Sequence, residues 1–327
     1  MQLFPYPGSE PPDGMVAGRV KAADGVSLRF AICPGPLIGR GTVCIFQGRG
    51  DFIERYFETI EGLRSRGFDV AILDWRGQGG SDRRGSNPYR ARVRSFREYD
   101  LDLTAFMTEV VLPDCRPPFV ALAHSTGATV VLRALKARNW FERVVLSAPL
   151  IDIAPVALPR PVIRLASRVM VLLGQSRVFL PGRPRRPMRA DDFPGNPCSS
   201  DKARYLRDCR MLEAAPHLGI GGPTFGWLNA ALAAMAELAR YSRKTTLRAP
   251  VLIIAAGDDR LASAEASRQF ARRVPGVAAV TIAGSLHEPL MERDQVREQF
   301  WAAFDTFVGI WPDPQPQAQP ALKRALA

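Results

Sequence analysis

Ser125 stands in Ala123-His124-Ser125-Thr126-Gly127, between an apolar run over 119–123 and a helical pattern. A short buried strand running into a serine among small residues marks a sharp strand-to-helix turn. Such a turn leaves the hydroxyl alone at the end of a sheet, ready to attack a carbonyl. A serine hydroxyl is a weak nucleophile. It needs a base within hydrogen-bond reach and an acid that holds the base in one tautomer. The chain has three histidines. His124 adjoins the serine, so a sharp turn should point it away, and His217 lies in an irregular stretch. His287, in Gly284-Ser285-Leu286-His287-Glu288, follows the last strand-like segment, where a base could meet the serine. The acid should follow another strand. The run 251–255 leads into Gly257-Asp258-Asp259-Arg260, and either aspartate could serve. This order, with each member just after a strand, is far more specific than Ser-x-Gly alone.

Acyl transfer also needs two preorganised N–H donors for the oxyanion. One is the amide after the nucleophile, Thr126. The other should come from Gln47-Gly48-Arg49-Gly50-Asp51, after the strand 42–46, whose glycines let the backbone approach a substrate carbonyl closely. This chemistry asks for no cofactor. Scattered cysteines, odd in number and without CxxC spacing, read as free thiols, and so few histidines argue against a metal centre.

The elements that must position these groups alternate along the chain. Strand-like runs fall at 19–22, 27–33, 42–46, 70–74, 119–123, 144–147, 251–255 and 279–283. Helical patterns fall at 56–66, 96–111, 126–137, 262–273 and 295–308. Alternation predicts an α/β fold with a mostly parallel sheet and helices on both faces, and ligands at the carboxyl ends of its strands. The rhythm stops over 151–245, where helices are expected at 162–173 and 228–240 without strands. The expected organisation is an N-terminal arm over 1–15, a core over 16–150 and 246–310, a helical cap inserted over 151–245, and a mobile tail over 311–327.

With these pieces in place, the chain resembles α/β hydrolases of the bacterial lysophospholipase and monoacylglycerol lipase group. The resemblance runs from about residue 15 to 308. It rests on Gln47-Gly48-Arg49-Gly50, on Asp74-Trp75-Arg76-Gly77-Gln78-Gly79-Gly80-Ser81, on the serine segment, on Gly257-Asp258-Asp259-Arg260-Leu261 and on His287-Glu288. Gly221-Gly222-Pro223-Thr224-Phe225-Gly226-Trp227 is similar to the lysophospholipase branch in particular. The resemblance implies the α/β-hydrolase fold. It implies Ser125 as nucleophile, Asp259 as acid, His287 as base, and the amides of Arg49 and Thr126 as oxyanion donors. It also implies an ester substrate carried by a single-chain lipid. Two positions depart from the family pattern. Gln47 stands where histidine is usual, and Ala123 where glycine is common. Neither removes a catalytic group, although the first could alter acyl or pH preference.

The net charge of +12 is uneven. Residues 81–97 hold six arginines and one acid, and 151–200 hold eight arginines and three acids, so each stretch carries +5. No helix-turn-helix, zinc finger or aromatic-interleaved basic motif accompanies them, so nucleic acid is not an expected partner. In the expected fold both stretches border the site mouth, where they would suit an anionic membrane surface or lipids with phosphate headgroups. Val162, Leu165 and Val169 share one helical face, which either lines an acyl channel or packs on the core. No apolar run approaches the roughly 18 residues of a membrane span. Met1–Pro7 lacks a basic start and an apolar region, so no secretory leader is expected. The expected location is cytoplasmic, with peripheral contact to the inner membrane face.

Overall fold

The computed structural model describes residues 3–36 and 39–310; the tail over 311–327, expected to be mobile, lies outside them. Eight strands form one sheet: β1 (Val16–Lys21), β2 (Ser27–Cys33), β3 (Thr42–Phe46), β4 (Asp69–Leu73), β5 (Phe119–His124), β6 (Arg143–Ser147), β7 (Val251–Ala256) and β8 (Val277–Ile282). Their order across the sheet is β1-β2-β4-β3-β5-β6-β7-β8. The β1–β2 and β2–β4 pairs are antiparallel, and all others are parallel. The central strands are apolar on both faces because helices cover both. The edges read differently: β1 and β8 alternate or expose their side chains.

The helices are α1 (Phe57–Arg64), α2 (Arg97–Phe106), α3 (Leu112–Asp114), α4 (Ser125–Ala134), α5 (Arg160–Leu172), α6 (Lys202–Ala214), α7 (Phe225–Leu238), α8 (Ala264–Arg273) and α9 (Asp294–Val308). A π turn over Met107–Val111 joins α2 to α3. The strand pleat splits the core in two. Val43, Ile45, Val70, Ile72, Leu122 and Ile254 face Ile60, Leu63, Phe300 and Phe304 of α1 and α9. Cys44, Phe46, Leu73, Leu146 and Ile253 face the other side, with Leu103, Phe106, Val131 and Phe270 of α2, α4 and α8. This is the expected α/β-hydrolase architecture. Boundaries moved where a cap decides them. α8 starts at Ala264 rather than 262 because the Ser263 hydroxyl accepts the Ala266 amide at 3.1 Å.

β6 and β7 are sheet neighbours, yet about a hundred residues separate them in sequence, and these carry α5, α6 and α7. α6 was not foreseen. Its inner face joins Tyr205, Cys209, Met211 and Leu212 with the buried carboxylate Asp208, so its apolar period is broken. α5 also differs from expectation. Val162, Leu165 and Val169 do not pack on the core; they are 48%, 64% and 41% exposed, and Leu165 lines an open cavity of about 270 Å³ with Arg160, Arg164 and Arg168. Residues 3–15 contain no helix or strand. Phe4 packs edge-on against His217 of the insertion, and its amide donates to Glu54 at 3.1 Å. Among the described residues, no helix is long and apolar enough to cross a membrane.

Candidate active site

β5 delivers Ser125 to the carboxyl edge of the sheet, where the chain turns directly into α4. Ser125 itself has φ +48°, a left-handed conformation that L residues avoid unless their surroundings impose it. The turn is tight enough that a Cβ at Gly127 would collide with the carbonyls of Phe46 and Gln47. Only glycine lets α4 start this close to β3.

The Ser125 hydroxyl faces His287 Nε2 at 2.9 Å, and His287 Nδ1 faces Asp259 Oδ2 at 2.7 Å. Asp259 Oδ1 accepts the amides of Leu261 and Ala262 at 2.8 and 2.9 Å, which orients Oδ2 toward the imidazole. The Asp259 side chain is buried, whereas Asp258 is exposed. The choice left open between the two aspartates therefore falls geometrically to Asp259. A carboxylate at Nδ1 keeps the proton there and leaves the Nε2 lone pair for the serine.

The other two histidines lie elsewhere. His217 packs on Phe4. His124 does not bond Ser125, but neither is it remote: its ring centroid lies 5.0 Å from that of His287. Its Nδ1 donates to the Ser147 carbonyl at 3.1 Å. The ring borders a cavity of about 10 Å³ shared with Asp51, Tyr56 and Glu288, room for roughly one water.

The loop after β3 is held from three sides. The Gly48 amide donates to Asp51 Oδ2 at 2.9 Å, Gln78 Nε2 donates to the Gly48 carbonyl at 2.8 Å, and Trp75 Nε1 donates to the Gln47 carbonyl at 2.8 Å. A Cβ at Gly48 would strike the His124 ring. The Gln47 side chain turns inward and donates to Asp74 Oδ1 at 3.2 Å, so the departure at this position does not reach the serine. Among the described residues, neither the Arg49 amide nor the Thr126 amide has a hydrogen-bond acceptor in the protein. Thr126 lies in the first turn of α4, whose amides have no intrahelical partner.

Behind the imidazole sits a charged cluster that sequence reading missed. Arg55 Nε donates to Asp208 at 2.8 Å and Nη2 to Glu288 at 2.7 Å, while Nη1 pairs with Asp51. One guanidinium thus ties the loop after β3, α6 of the insertion and the His287 loop together. The only local sequence cue was the i, i+4 spacing of Asp51 and Arg55. Burial would raise Glu288, yet Arg55 brings it down to about 2, so it stays ionised. For His287, burial disfavours the imidazolium. Asp259, then Glu288 and Asp51, outweigh burial and raise it above its ordinary value.

A general base works as the neutral imidazole, so activity should rise through this raised value on the acid side. The acid limb is therefore expected above pH 6.5, the ordinary value. Glu288→Gln removes one of the anions that favour the imidazolium. It should move the acid limb of kcat/KM to lower pH, read from a pH–rate profile. A limb that stays put would remove Glu288 from the electrostatics of the base.

Comparison with known proteins adds an independent line. Residues 39–294 match the model of the family described as serine aminopeptidase, S33, a family of hydrolases. Lysophospholipase L2 of Escherichia coli K12 is 29% identical over 272 residues, which cover 78% of this chain and 76% of that protein. The probable lysophospholipase L2 of Haemophilus influenzae is 25% identical over 287 residues, 87% of this chain and 88% of that protein. Among solved structures, a soluble variant of the Saccharomyces cerevisiae monoglyceride lipase, in complex with a substrate analogue, superposes with a TM-score of 0.69 at 19% identity. It covers 88% of this chain and 93% of that one.

Proposed function

This chain belongs to the serine aminopeptidase S33 family of hydrolases, and from that membership we propose that it cleaves the carboxylic ester of single-chain lipids, lysophospholipids or monoacylglycerols. The observation that carries the serine-hydrolase chemistry is the 2.9 Å and 2.7 Å relay from Ser125 through His287 to Asp259; the lipid ester is supported by the named relatives. Ser125 is the nucleophile, and His287 takes its proton. The Arg49 and Thr126 amides hold the oxyanion; as it collapses, the C–O bond breaks, the imidazolium gives its proton to the leaving glycerol oxygen, and the acyl group stays on Ser125. Water activated by the same imidazole then releases the fatty acid. Asp259 keeps the tautomer and stabilises the imidazolium. The insertion over 151–245 is the cap of this site.

The relatives named as lysophospholipases and a monoglyceride lipase support a lipid ester over a peptide. A panel of lysophospholipids, monoacylglycerols, short p-nitrophenyl esters and aminoacyl anilides tests the reading. The long-chain single-acyl esters are expected to give the highest kcat/KM. Faster cleavage of the anilides would overturn the ester reading.

The protein works at an anionic membrane surface, on the inner face, from a cytoplasmic location. What supports this is α5. Val162, Leu165, Val169 and Leu172 form one exposed face, with Leu172 77% exposed, and Arg164 and Arg168 lie beside it. A helix with an apolar face and flanking arginines suits the boundary between headgroups and acyl chains. Arg92 of the basic stretch over 81–97 lies near Arg177, just past the end of α5. Burial and the neighbouring Arg177 and Arg94 hold the Arg92 guanidinium below its usual range. Each such cation contributes about 1 kcal/mol near an anionic leaflet. The protein should co-sediment with anionic vesicles more than with neutral ones, and lose that preference near 1 M salt, where screening acts within about 3 Å. Leu165→Asp with Leu172→Asp should weaken vesicle binding at least about tenfold. Equal binding to both vesicle types would remove the charge from the account.

A further inference from the structure

The buried arginines described in this protein are matched by acids, but three half-buried ones are not. Arg29 faces Glu54 and Asp74, Arg55 faces Asp51, Asp208 and Glu288, and Arg76 faces Asp24, Glu98 and Asp102. In the seam between insertion and sheet the pattern breaks. Among the described residues, Arg49, Arg83 and Arg90 have no carboxylate within ion-pair distance. Arg49 Nη2 donates to the carbonyls of Gly221 and Gly222 at 2.9 and 2.7 Å. Arg83 donates to the carbonyls of Gly219 at 2.7 Å and Leu218 at 2.9 Å. Arg90 stacks over Phe179 at 5.4 Å, and Phe179 bridges to Thr224. All three converge on the insertion string 218–224.

Carbonyl dipoles solvate a guanidinium but leave its charge in place, and removing an unpaired charge even partly from water is costly. Burial accordingly lowers Arg49 and Arg83 to about 10 each. Both remain cations at neutral pH, in a place that rewards an anion. Arg49 also keeps donor capacity. Its Nε is buried without a partner, and its Cζ lies over the Trp227 ring, 5.1 Å from the centroid. A guanidinium that sits over an aromatic ring and has no carboxylate partner is suited to a phosphate oxygen.

Position narrows the ligand. The Arg49 amide is the proposed oxyanion donor, so the carbonyl being cut sits on the backbone of the residue whose side chain carries this charge. In a lysophospholipid the phosphodiester lies one glycerol unit from that carbonyl. We propose that the Arg49 guanidinium, backed by Arg83 and Arg90, forms a subsite for the phosphodiester of a lysophospholipid headgroup. Arg49 thus holds the ester through its amide and reads the headgroup through its side chain. This rests on the ester-hydrolase reading and chooses between its two substrate classes.

The test compares kcat/KM for a lysophosphatidylglycerol and for a monoacylglycerol of the same short acyl chain. Both are kept monomeric so that no charged surface contributes. The wild type should favour the lysophospholipid. Arg49→Met should lower the lysophospholipid-to-monoacylglycerol ratio roughly ten- to a hundredfold, whatever it does to the two rates together. Arg49→Lys should retain part of the preference, because it keeps the charge and loses the fork. Arg90→Met should lower the ratio in the same direction by less, and it decides the matter if Arg49→Met does not fold. An unchanged ratio in these variants would overturn the subsite and leave Arg49 as a tie between insertion and loop. A wild type that cleaves monoacylglycerol alone would also overturn the subsite, with the ester reading intact. A wild type that cleaves neither substrate, and that no fluorophosphonate labels, would overturn that reading as well.

Discussion

Ser125→Ala is expected to lower kcat for ester hydrolysis by about a millionfold and to abolish fluorophosphonate labelling. The geometry explains the size. The Ser125 hydroxyl points at His287 Nε2 from 2.9 Å, and no other hydroxyl is proposed to take its place. Once the oxygen is gone, the imidazole has no nucleophile to activate. What remains comes from the oxyanion amides and substrate binding alone. The substitution should barely disturb the fold. Alanine meets the same left-handed backbone as serine, so neither residue gains there. A thermal melt is expected within a few degrees of the wild type, which separates lost chemistry from lost structure. A Ser125→Ala protein that still forms an acyl-enzyme would place the nucleophile elsewhere.

Asp259→Asn should be the next most damaging change, at about ten-thousandfold in kcat, with Asp258→Asn close to wild type. An asparagine can still accept the Leu261 and Ala262 amides, which now hold Asp259 Oδ1 at 2.8 and 2.9 Å. Its amide nitrogen then faces His287 Nδ1. That nitrogen donates, so Nδ1 must accept and the ring proton moves to Nε2. There it blocks removal of the serine proton. The raised titration of His287 should also fall, because its main anionic partner is gone. Single-turnover kinetics across pH would show both effects. The exposed carboxylate of Asp258 touches none of the three groups. If Asp258→Asn were instead the damaging change, the assignment of the acid would be wrong.

The site was legible because each of its members carries a local mark. Ser125 needs a strand before it and a helix after it. His287 and Asp259 each follow a strand. The sheet was legible for a similar reason: buried parallel strands are short apolar runs, and these survive any detail of packing. What stayed hidden was built from contacts between distant segments. α6 was missed because its inner face includes Asp208, a charge that makes sense only beside Arg55. Nothing local in the sequence links Arg55 to Glu288 and Asp208; the link exists only because three segments meet around one guanidinium. The Val162 face was read as apolar, correctly, but its exposure depends on what α5 packs against.

The amino-acid sequence by itself determined the family, the order of strands and helices, and the residues proposed to cut an acyl bond. Local pattern and residue chemistry suffice for these. The tertiary structure decided which aspartate meets the imidazole, which arginines find acids and which do not, and which face of α5 meets water. Those outcomes depend on distances between segments far apart along the chain. Charge pairing and burial change over a few ångströms, and no local window of sequence contains that information.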